Sequence, residues 1–312
     1  MQHTEPIHIV LNPTSGGGAG ARAEREIARD LARRGVPFEI HRTEGRGHAA
    51  ELARDFANRG VARVGAAGGD GTIHEVVNGL MQSRVRSTTL ALLPIGTGND
   101  FVKVVSGTRT LPAALETVAR GSCRRYDLGI VKWDGGSEYF TNAMGTGIDV
   151  EVVRQLQRLP HMPGALKYLA ALVRALLKYR PVPLHASING DTIDTRAMIL
   201  AVGNGTCQGG GFYLAPNARP DDGVFDITLV REVGLRDVVT LVPRILRGTH
   251  GGHVAVLMRT ARALRVESGD DRPLCFHVDG ELRETESRAF SVEVLPGALA
   301  VLARDGSTEG DR

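Results

Sequence analysis

The pentapeptide Gly68-Gly69-Asp70-Gly71-Thr72 lies between an apolar stretch, 61–67, that predicts a strand and a stretch, 73–81, that predicts a helix. Three glycines in five residues let the backbone turn tightly and approach a ligand closely. The N–H groups after such a turn lie at a helix N-terminus, which favours phosphate. Asp70 adds a carboxylate, which would repel phosphate unless Mg²⁺ bridges the two. The pentapeptide therefore predicts a site for Mg²⁺ and a nucleoside phosphate, although an isolated glycine-rich turn is about as often only a turn.

Two similar loops follow other predicted strands. Residues 12–18, Asn-Pro-Thr-Ser-Gly-Gly-Gly, come after a predicted strand at 7–11 and before a predicted helix at 19–34. Residues 96–100, Gly-Thr-Gly-Asn-Asp, come after a predicted strand at 89–94. Because ligands of open α/β sheets bind at the carboxyl ends of the strands, we expect the three loops to serve one site.

The pattern of predicted elements changes near Gly121. Before it, short apolar strands alternate with helical stretches, which predicts an α/β domain with a parallel sheet. After it, the chain is rich in short strands that are joined by Asp-Gly or Asn-Gly pairs, which is typical of antiparallel hairpins. These later strands are predicted at 126–133, 137–142, 185–188, 197–202, 224–230, 262–267, 274–278 and 291–295.

Composition narrows the class of protein. A chain of 312 residues with 42% apolar and 23% charged residues predicts about two packed domains. The net charge of +3 gives no reason to expect nucleic-acid binding. The three cysteines have no metal-ligand spacing, which favours reduced thiols in a cytoplasmic protein. No apolar run reaches the roughly 18 residues of a transmembrane segment, so a lipid substrate would be reached at the inner face of the membrane.

The three loops together carry a resemblance to a known family. Asn-Pro-x-Ser-Gly at 12–16, Gly-Gly-Asp-Gly-Thr at 68–72 and Gly-Thr-x-Asn-Asp-Phe at 96–101 resemble motifs of the diacylglycerol kinase catalytic-domain family, which includes bacterial soluble lipid kinases and the sphingosine kinases. Arg219-Pro220-Asp221-Asp222-Gly223 and Val278-Asp279-Gly280-Glu281 resemble two later motifs of the bacterial members. The resemblance therefore covers nearly the whole chain.

The resemblance implies a fold, a reaction and cofactors. It implies an α/β ATP-binding domain like that of NAD kinases and phosphofructokinases over residues 1–121, to which the tail 301–312 returns. It implies a mainly antiparallel β domain that binds lipid over residues 122–300. The expected reaction is the phosphorylation of a hydroxyl of a diacylglycerol-like lipid at the membrane surface, with ATP and Mg²⁺.

The resemblance also implies an ATP site. Its members lie in or beside the three loops or just after a further predicted strand at 37–41: Asn12, Pro13, Thr14, Ser15, Gly16, Thr43, Gly68, Gly69, Asp70, Gly71, Thr72, Ile73, His74, Glu75 and Thr97. From the residues alone, a solvated loop threonine is the favoured interpretation of Thr43, because a single threonine carries no motif specificity. His74 is expected to position its neighbours, because no second histidine has the spacing of a metal-ligand partner.

Four carboxylates are candidates for the chemistry. Asp70, Asp100 and Asp127 are expected to form an acidic network around the catalytic Mg²⁺, and the resemblance implies that Glu281 is the proton acceptor. A lipid hydroxyl needs such an acceptor or strong positioning before it attacks phosphate. Three of the four also have a purely structural interpretation: an Asx turn for Asp70, a strand-start aspartate for Asp127, and a solvated hairpin glutamate for Glu281.

A second cation loop is implied by the same resemblance. Mg²⁺ would be held there by the Asp222 carboxylate and by the backbone of Arg219 and Val224, away from the chemistry. The alternative is a plain Asp-Asp-Gly turn without a metal.

The stretch 164–179 predicts an amphipathic helix. It has an apolar stripe, Leu166, Leu169, Val173 and Leu176, and a basic one, Lys167, Arg174 and Lys178. We expect the apolar stripe to pack on the domain, and contact with anionic lipid is the alternative. An exposed edge strand of the β domain would allow a homodimer.

Two other function classes stay open from the sequence. A kinase of a soluble substrate, similar to NAD kinases, would explain residues 68–72 but not all three loops together. A regulator that binds lipid or nucleotide without catalysis would not need Asp70, Asp100 and Glu281. The identity of the lipid cannot be read, because an apolar pocket carries no residue code.

Overall fold

The computed structural model of this protein describes residues 5–96, 98–105, 110–159, 164–209 and 211–304. The chain forms two compact units. Unit 1 comprises the described residues up to Tyr126 and those from Gly297 onward, and unit 2 is Asp127–Pro296. The assignment of ATP binding to one domain and lipid binding to the other stays a prediction.

Unit 1 alternates strands and helices along the chain. Its elements are β1 (Ile7–Leu11), α1 (Ser15–Arg33), β2 (Phe38–Arg42), α2 (His48–Asn58), β3 (Arg63–Gly68), α3 (Asp70–Gln82), β4 (Thr89–Pro94), α4 (Asp100–Val105) and α5 (Leu111–Arg120). The strands pair in parallel in the order β2-β1-β3-β4. Ala23, Ile27 and Leu31 form one face of α1 and pack on the sheet. The parallel α/β fold class predicted for this region is confirmed.

Unit 2 is built mainly from antiparallel strands. They are β5 (Ser122–Trp133), β6 (Gly136–Phe140), β7 (Ala143–Gly147), β8 (Val182–Ile188), β9 (Asp191–Gly203), β10 (Phe225–Arg231), β11 (Val256–Ala261), β12 (Ala263–Ser268), β13 (Phe276–Val278), β14 (Glu281–Arg283) and β15 (Ala289–Ala303). The first residues of β5 and the last of β15 belong to unit 1, where Val301 pairs with Leu90. The predicted antiparallel character is confirmed.

Two hairpin turns show why the sequence predicted these strands. Asn189-Gly190 joins β8 to β9, and Asp279-Gly280 joins β13 to β14. All four residues have positive φ, between 48° and 91°. A two-residue hairpin with the native twist requires this conformation, and Asn, Asp and Gly adopt it most easily.

Unit 2 also contains helices, of which only one was predicted. They are α6 (Ile148–Arg158), α7 (Gly164–Lys178), α8 (Leu235–Leu246) and a 3₁₀ turn (His250–Gly252). The prediction of a helix over 164–179 is confirmed. We missed α8 because it contains Pro243, which usually interrupts a helix. We missed α6 because it follows a glycine-rich strand and has no side-chain cap.

The apolar face of α7 does not pack as expected. Leu166, Leu169 and Val173 are each at least half exposed, so the prediction that they pack on the domain was wrong for these three. The fourth residue of the stripe, Leu176, packs against the cluster that α6 and α7 form, as predicted. The buried face carries Ala171 and Ala175 instead, since these small side chains let α7 approach α6 closely. In the described part of the chain, no helix combines the length and apolar character needed to cross a membrane.

Candidate active site

Three loops follow neighbouring parallel strands of unit 1. Loop 1 (12–18) follows β1, loop 2 (68–72) follows β3, and loop 3 (96–100) follows β4. Because β3 pairs with both β1 and β4, the three loops meet at one edge of the sheet, as predicted. Thr97, a predicted ATP ligand in loop 3, lies outside the described residues.

Asn12 links loop 1 to loop 2. Its Nδ2 donates to Thr72 Oγ1 at 3.1 Å, and its Oδ1 accepts from the backbone N and the hydroxyl of Thr14, at 3.0 and 2.8 Å. The Asn12 side chain therefore organises the loops with its own amide group. Thr14, Gly16 and Gly17 are exposed, so this part of loop 1 is open to solvent.

The three glycines of loop 1 form a left-handed turn before the regular part of α1. Gly16, Gly17 and Gly18 have φ values of 59°, 65° and 89°, a conformation that other residues adopt at a steric cost. A Cβ on Gly16 would also lie 2.6 Å from the carbonyl oxygen of Ile95. The regular helix therefore starts at Ala19, where the sequence predicted it.

Asp70 holds loop 3 against loop 2. Its Oδ2 accepts from the Asn99 backbone N–H and its Oδ1 from that of Asp100, both at 2.8 Å. The Asx-turn interpretation placed the structural partner within the same loop, whereas these two partners lie 29 and 30 residues further along the chain. Each carboxylate oxygen keeps acceptor capacity, so this role is compatible with a cation ligand.

Loops 2 and 3 also touch through their backbones. A Cβ on Gly96 would lie 2.6 Å from Gly69 Cα, and one on Gly68 would lie 2.4 Å from Thr72 Oγ1. The Ile95 N–H donates to the carbonyl oxygen of Gly68 at 2.9 Å. A side chain on Gly96 would therefore push loop 3 away from loop 2, and one on Gly68 would displace Thr72.

Several predicted ATP residues have structural partners. Glu75 Oε1 accepts from Gly47 N at 2.9 Å, at the start of α2, and Thr43 N donates to Leu11 O at 2.8 Å beside loop 1. Ile73 and His74 are buried on α3, where Asn78 Nδ2 donates to the His74 carbonyl. Pro13, Ser15 and Gly71 belong to the loops themselves. Ile73 and His74 therefore position α3, and their side chains are turned away from solvent.

Asp100 begins α4 and is buried. Its Oδ1 accepts from Lys103 Nζ at 2.9 Å, one helical turn further on. Its backbone N–H is the one bound by Asp70, so the two predicted acidic residues are adjacent. The ammonium group of Lys103 and the carboxylate of Asp100 therefore form a charged pair at the end of loop 3.

Asp127, by contrast, lies in unit 2 and is hydrogen-bonded to the predicted cation loop. Its Oδ2 accepts from Gly223 N at 2.7 Å, and its own N–H donates to Pro220 O at 2.6 Å. In that loop Asp222 Oδ1 accepts from Val224 N at 3.1 Å, while Arg219 Nε lies 3.5 Å from Asp221. Asp127 thus shapes the 219–224 loop.

The cation loop is electrostatically suited to a positive charge. Burial, and then the neighbouring charge of Asp222, raise the pKa of the Asp226 carboxyl above its usual value. One carboxylate with adjacent backbone carbonyls is a donor set that Mg²⁺ accepts. The residues present therefore fit Mg²⁺.

Glu281 is the first residue of β14 and is partly exposed. The turn before it is fixed by Asp279, whose carboxylate accepts from the backbone N–H groups of Thr141, Asn142 and Ala143 and from the Thr141 hydroxyl, at 2.9–3.1 Å. Four donors make Asp279 a structural anchor, which leaves Glu281 as the acceptor candidate of this motif.

An apolar cavity lies inside unit 2, and no motif of the sequence predicted it. Its empty volume, including the part open to solvent, is about 600 Å³. The lining residues come from α6, α7, α8, β9 and β10, and Asp149 is the one charged residue among those described. Asp149 Oδ2 lies 3.2 Å from His277 Nε2, and both side chains are buried.

Comparisons with known proteins agree with this geometry. Residues 6–131 match the diacylglycerol kinase catalytic domain, and residues 142–303 match the YegS C-terminal NAD kinase beta sandwich-like domain. The diacylglycerol kinase of Bacillus subtilis is 30% identical over 275 residues, which cover 88% of each chain. A Chromohalobacter salexigens protein named "Probable lipid kinase YegS-like" is 30% identical over 98% of this chain and 96% of that protein.

A solved structure has the same fold. The crystal structure of a diacylglycerol kinase from Bacillus anthracis superposes with a TM-score of 0.74 and covers 97% of this chain and 98% of that one. At 22% sequence identity, this likeness supports the fold alone.

Proposed function

This chain belongs to the diacylglycerol kinase catalytic-domain family and is a lipid kinase, and we propose that it transfers the γ-phosphoryl group of ATP, with Mg²⁺, to a hydroxyl of a diacylglycerol-like lipid. The observation that best supports the ATP site is the meeting of three glycine-rich loops at one sheet edge. Their exposed backbone can approach phosphate closely, as a side chain could not.

In this proposal the residues of unit 1 position the nucleotide. Asn12 and Asp70 fix the three loops relative to one another, so that the loops are ordered before ATP binds. Asp70 and Asp100 would hold Mg²⁺, which neutralises charge on the transferred phosphoryl group. Phosphoryl transfer depends mainly on such positioning and charge stabilisation.

Glu281 is proposed as the acceptor of the proton from the lipid hydroxyl. Asp279 is bound by four donors, and this fixes the turn from which Glu281 projects. A carboxylate held in this way acts as a general base if it lies within hydrogen-bond reach of the hydroxyl.

The cavity of unit 2 is proposed as the site of an acyl chain. Its walls are leucine, isoleucine, valine, methionine and phenylalanine side chains, which match a hydrocarbon chain. Asp149 would accept a hydrogen bond from a polar group of the lipid at one point of this wall.

The exposed face of α7 is proposed to contact the membrane surface. Leu166, Leu169, Val173 and Leu177 are 50–75% exposed, and exposed Arg174 and Lys178 lie on the same helix. Such a helix binds anionic lipid through its apolar face and its basic residues. Replacing Val173 with Glu should reduce sedimentation with anionic vesicles, whereas replacing the exposed Val239 of α8 with Glu is the matched control.

The 219–224 loop is proposed to hold a second, structural Mg²⁺. Asp222→Ala should abolish the Mg²⁺-dependent part of thermal stability, because a cation that binds only the folded state stabilises it by mass action. Asp134→Ala, at an exposed turn of unit 2, should keep it. An unchanged Mg²⁺ shift in Asp222→Ala would exclude this site.

The decisive test of the function uses labelled ATP and a panel of acceptors. The panel contains diacylglycerol, monoacylglycerol, phosphatidylglycerol, a sphingoid base and NAD, each with and without Mg²⁺. We expect a phosphorylated lipid that requires Mg²⁺. Phosphorylation of NAD alone would contradict the proposal, as would the absence of any labelled product.

A further inference from the structure

A cluster of three side chains lies on the face of the unit 1 sheet that α2 covers. His8 is on β1, and Glu39 and His41 are on β2, where His8 is paired in register with Glu39. Residues two apart on a strand point to the same face, so Glu39 and His41 both lie beside His8. Nothing in the proposed kinase reaction uses these residues.

Their ligand atoms converge on one point. His8 Nδ1 lies 3.2 Å from His41 Nε2 and 3.4 Å from Glu39 Oε2, and the last two atoms are 3.5 Å apart. Zn²⁺ binds nitrogen and oxygen at about 2.0–2.2 Å in tetrahedral sites, which places neighbouring ligand atoms about 3.3–3.6 Å apart. In the part of the chain that the structure describes, no other group of three such residues converges in this way.

We propose that His8, Glu39 and His41 form a binding site for Zn²⁺ or a chemically similar divalent transition ion, with one coordination position left open. Two imidazoles and one carboxylate suit these ions, whereas Mg²⁺ prefers oxygen ligands alone. The site is therefore chemically distinct from the Mg²⁺ sites of the proposed kinase reaction.

The surroundings hold the ligands and leave an entry path. The Phe56 ring of α2 packs against both imidazoles, with centroid distances of 4.8 Å to His8 and 4.7 Å to His41. Glu39 is 55% exposed, so an ion can reach the cluster from solvent. The guanidinium of Arg59 lies over the Phe56 ring, with its Cζ 5.1 Å from the ring centroid. It is paired with Asp55 at 3.3 Å, which reduces its repulsion of a cation.

The position along β1 separates this site from the phosphate loops. His8 is four residues before Asn12, a distance of about 13 Å along an extended strand. An ion there would crosslink β1 and β2 rather than contact the phosphates of ATP. Binding should therefore stabilise unit 1 without a requirement for nucleotide.

The test is a titration of the untagged, metal-free full chain with Zn²⁺, and with Co²⁺ as a spectroscopic probe, in the absence of ATP. We expect one ion per chain, a rise in melting temperature, and visible Co²⁺ bands without thiolate charge transfer. His41→Gln and Glu39→Gln should each weaken binding at least about 10-fold, the loss that even an outer partner of a metal ligand causes.

The matched control is His185→Gln in unit 2. His185 forms an exposed pair with Asp194 at 2.6 Å, and this variant should bind Zn²⁺ like the parent chain. Failure of the parent chain to bind Zn²⁺ would overturn the proposal. So would a Zn²⁺ affinity in His41→Gln and Glu39→Gln equal to that of the parent chain. If a variant does not fold, the parent Co²⁺ spectrum still decides, because a thiolate band would place the ion at a cysteine.

Discussion

The two proposed ligand sites, the loops of unit 1 and the cavity of unit 2, are built by opposite means. In the loops the backbone makes the site, and glycines stand where a Cβ would collide, as at Gly96 against Gly69. In the cavity the side chains make the site, and fourteen of its fifteen described lining residues are apolar. A site made by the backbone requires particular residues, such as glycine, at particular positions. An apolar wall requires only that its residues be apolar. This difference explains why the proposed nucleotide could be inferred and the lipid could not.

The largest effect is expected from Glu281→Gln, which tests whether proton acceptance depends on one side chain of unit 2. Glu281→Gln should lower kcat about 10²–10⁴-fold, the usual contribution of general-base catalysis. ATP affinity should be unchanged, because the loops lie in unit 1. The measurement is steady-state turnover with the accepted lipid, together with ATP binding.

The control for this variant is Glu286→Gln, since Glu286 is exposed. Glu284 is less suitable, because Arg154 Nη2 donates to it at 2.9 Å. Full turnover in Glu281→Gln would show that Glu281 is only a hairpin glutamate.

Asp70→Asn tests the double role of a loop carboxylate. We expect kcat to fall about 10²–10³-fold, the loss typical of removing one electrostatic stabiliser. An amide offers one oxygen where Asp70 supplies two, so one N–H of loop 3 loses its partner at a cost of about 1–3 kcal/mol. Turnover and urea unfolding measure the two effects separately.

Asp55→Asn is the control, because Asp55 is 61% exposed on α2. Lower stability with nearly normal kcat in Asp70→Asn would leave Asp70 as a structural residue and contradict its role at Mg²⁺.

Gly96→Ala tests whether the loops depend on backbone contact. The new methyl group would lie 2.6 Å from Gly69 Cα, so the loops must separate, at a cost of about 1–3 kcal/mol. Both the ATP affinity and the free energy of unfolding should therefore be lower in Gly96→Ala than in the parent chain. Gly45→Ala is matched, since its methyl group would meet no atom within 4 Å. Equal ATP affinities in the two variants would refute the backbone interpretation.

Leu176→Trp tests the cavity wall with a milder expected change. The larger ring would displace about two methylene groups of an acyl chain, which corresponds to about a 10-fold rise in KM for a long-chain lipid. KM for ATP should not change. Leu177→Trp is the control, because the neighbouring Leu177 is 75% exposed. A rise in KM for the lipid in both variants would point to membrane contact rather than to the cavity.

The sequence predicted the elements that depend on local rules and missed those that depend on distant partners. The strand bounds of β1 and β4 were predicted without error, because a buried parallel strand is a continuous apolar run between loops. The partners of Asp70 could not be predicted, since they come from a different loop. Asp149 and His277 are 128 residues apart, and no local pattern joins them.

The smallest expected effect concerns pH and a buried histidine in the wall behind the cavity. His250 is fully buried, and its Nε2–H donates to the carbonyl of Leu214, a cavity residue, at 3.2 Å. Burial lowers the pKa of His250 below its usual value near 6.5. Below about pH 6.5 the histidine is therefore protonated more fully in the unfolded chain than in the folded chain. The free energy of unfolding should then fall as the pH decreases below about 6.5.

A single proton limits this slope to about 1.4 kcal/mol per pH unit, and His250→Gln should flatten it by part of that amount. His185→Gln, at an exposed position, should keep the parental slope. The measurement is urea unfolding of the three chains between pH 7.5 and pH 5, a range set about the unperturbed histidine pKa. Identical slopes in the parent chain and His250→Gln would mean that another group carries the pH dependence. A flatter slope in His250→Gln would show that a titrating group lies behind the wall of an apolar cavity, where no sequence motif reveals it. The charged residues of the three loops, by contrast, all belong to motifs.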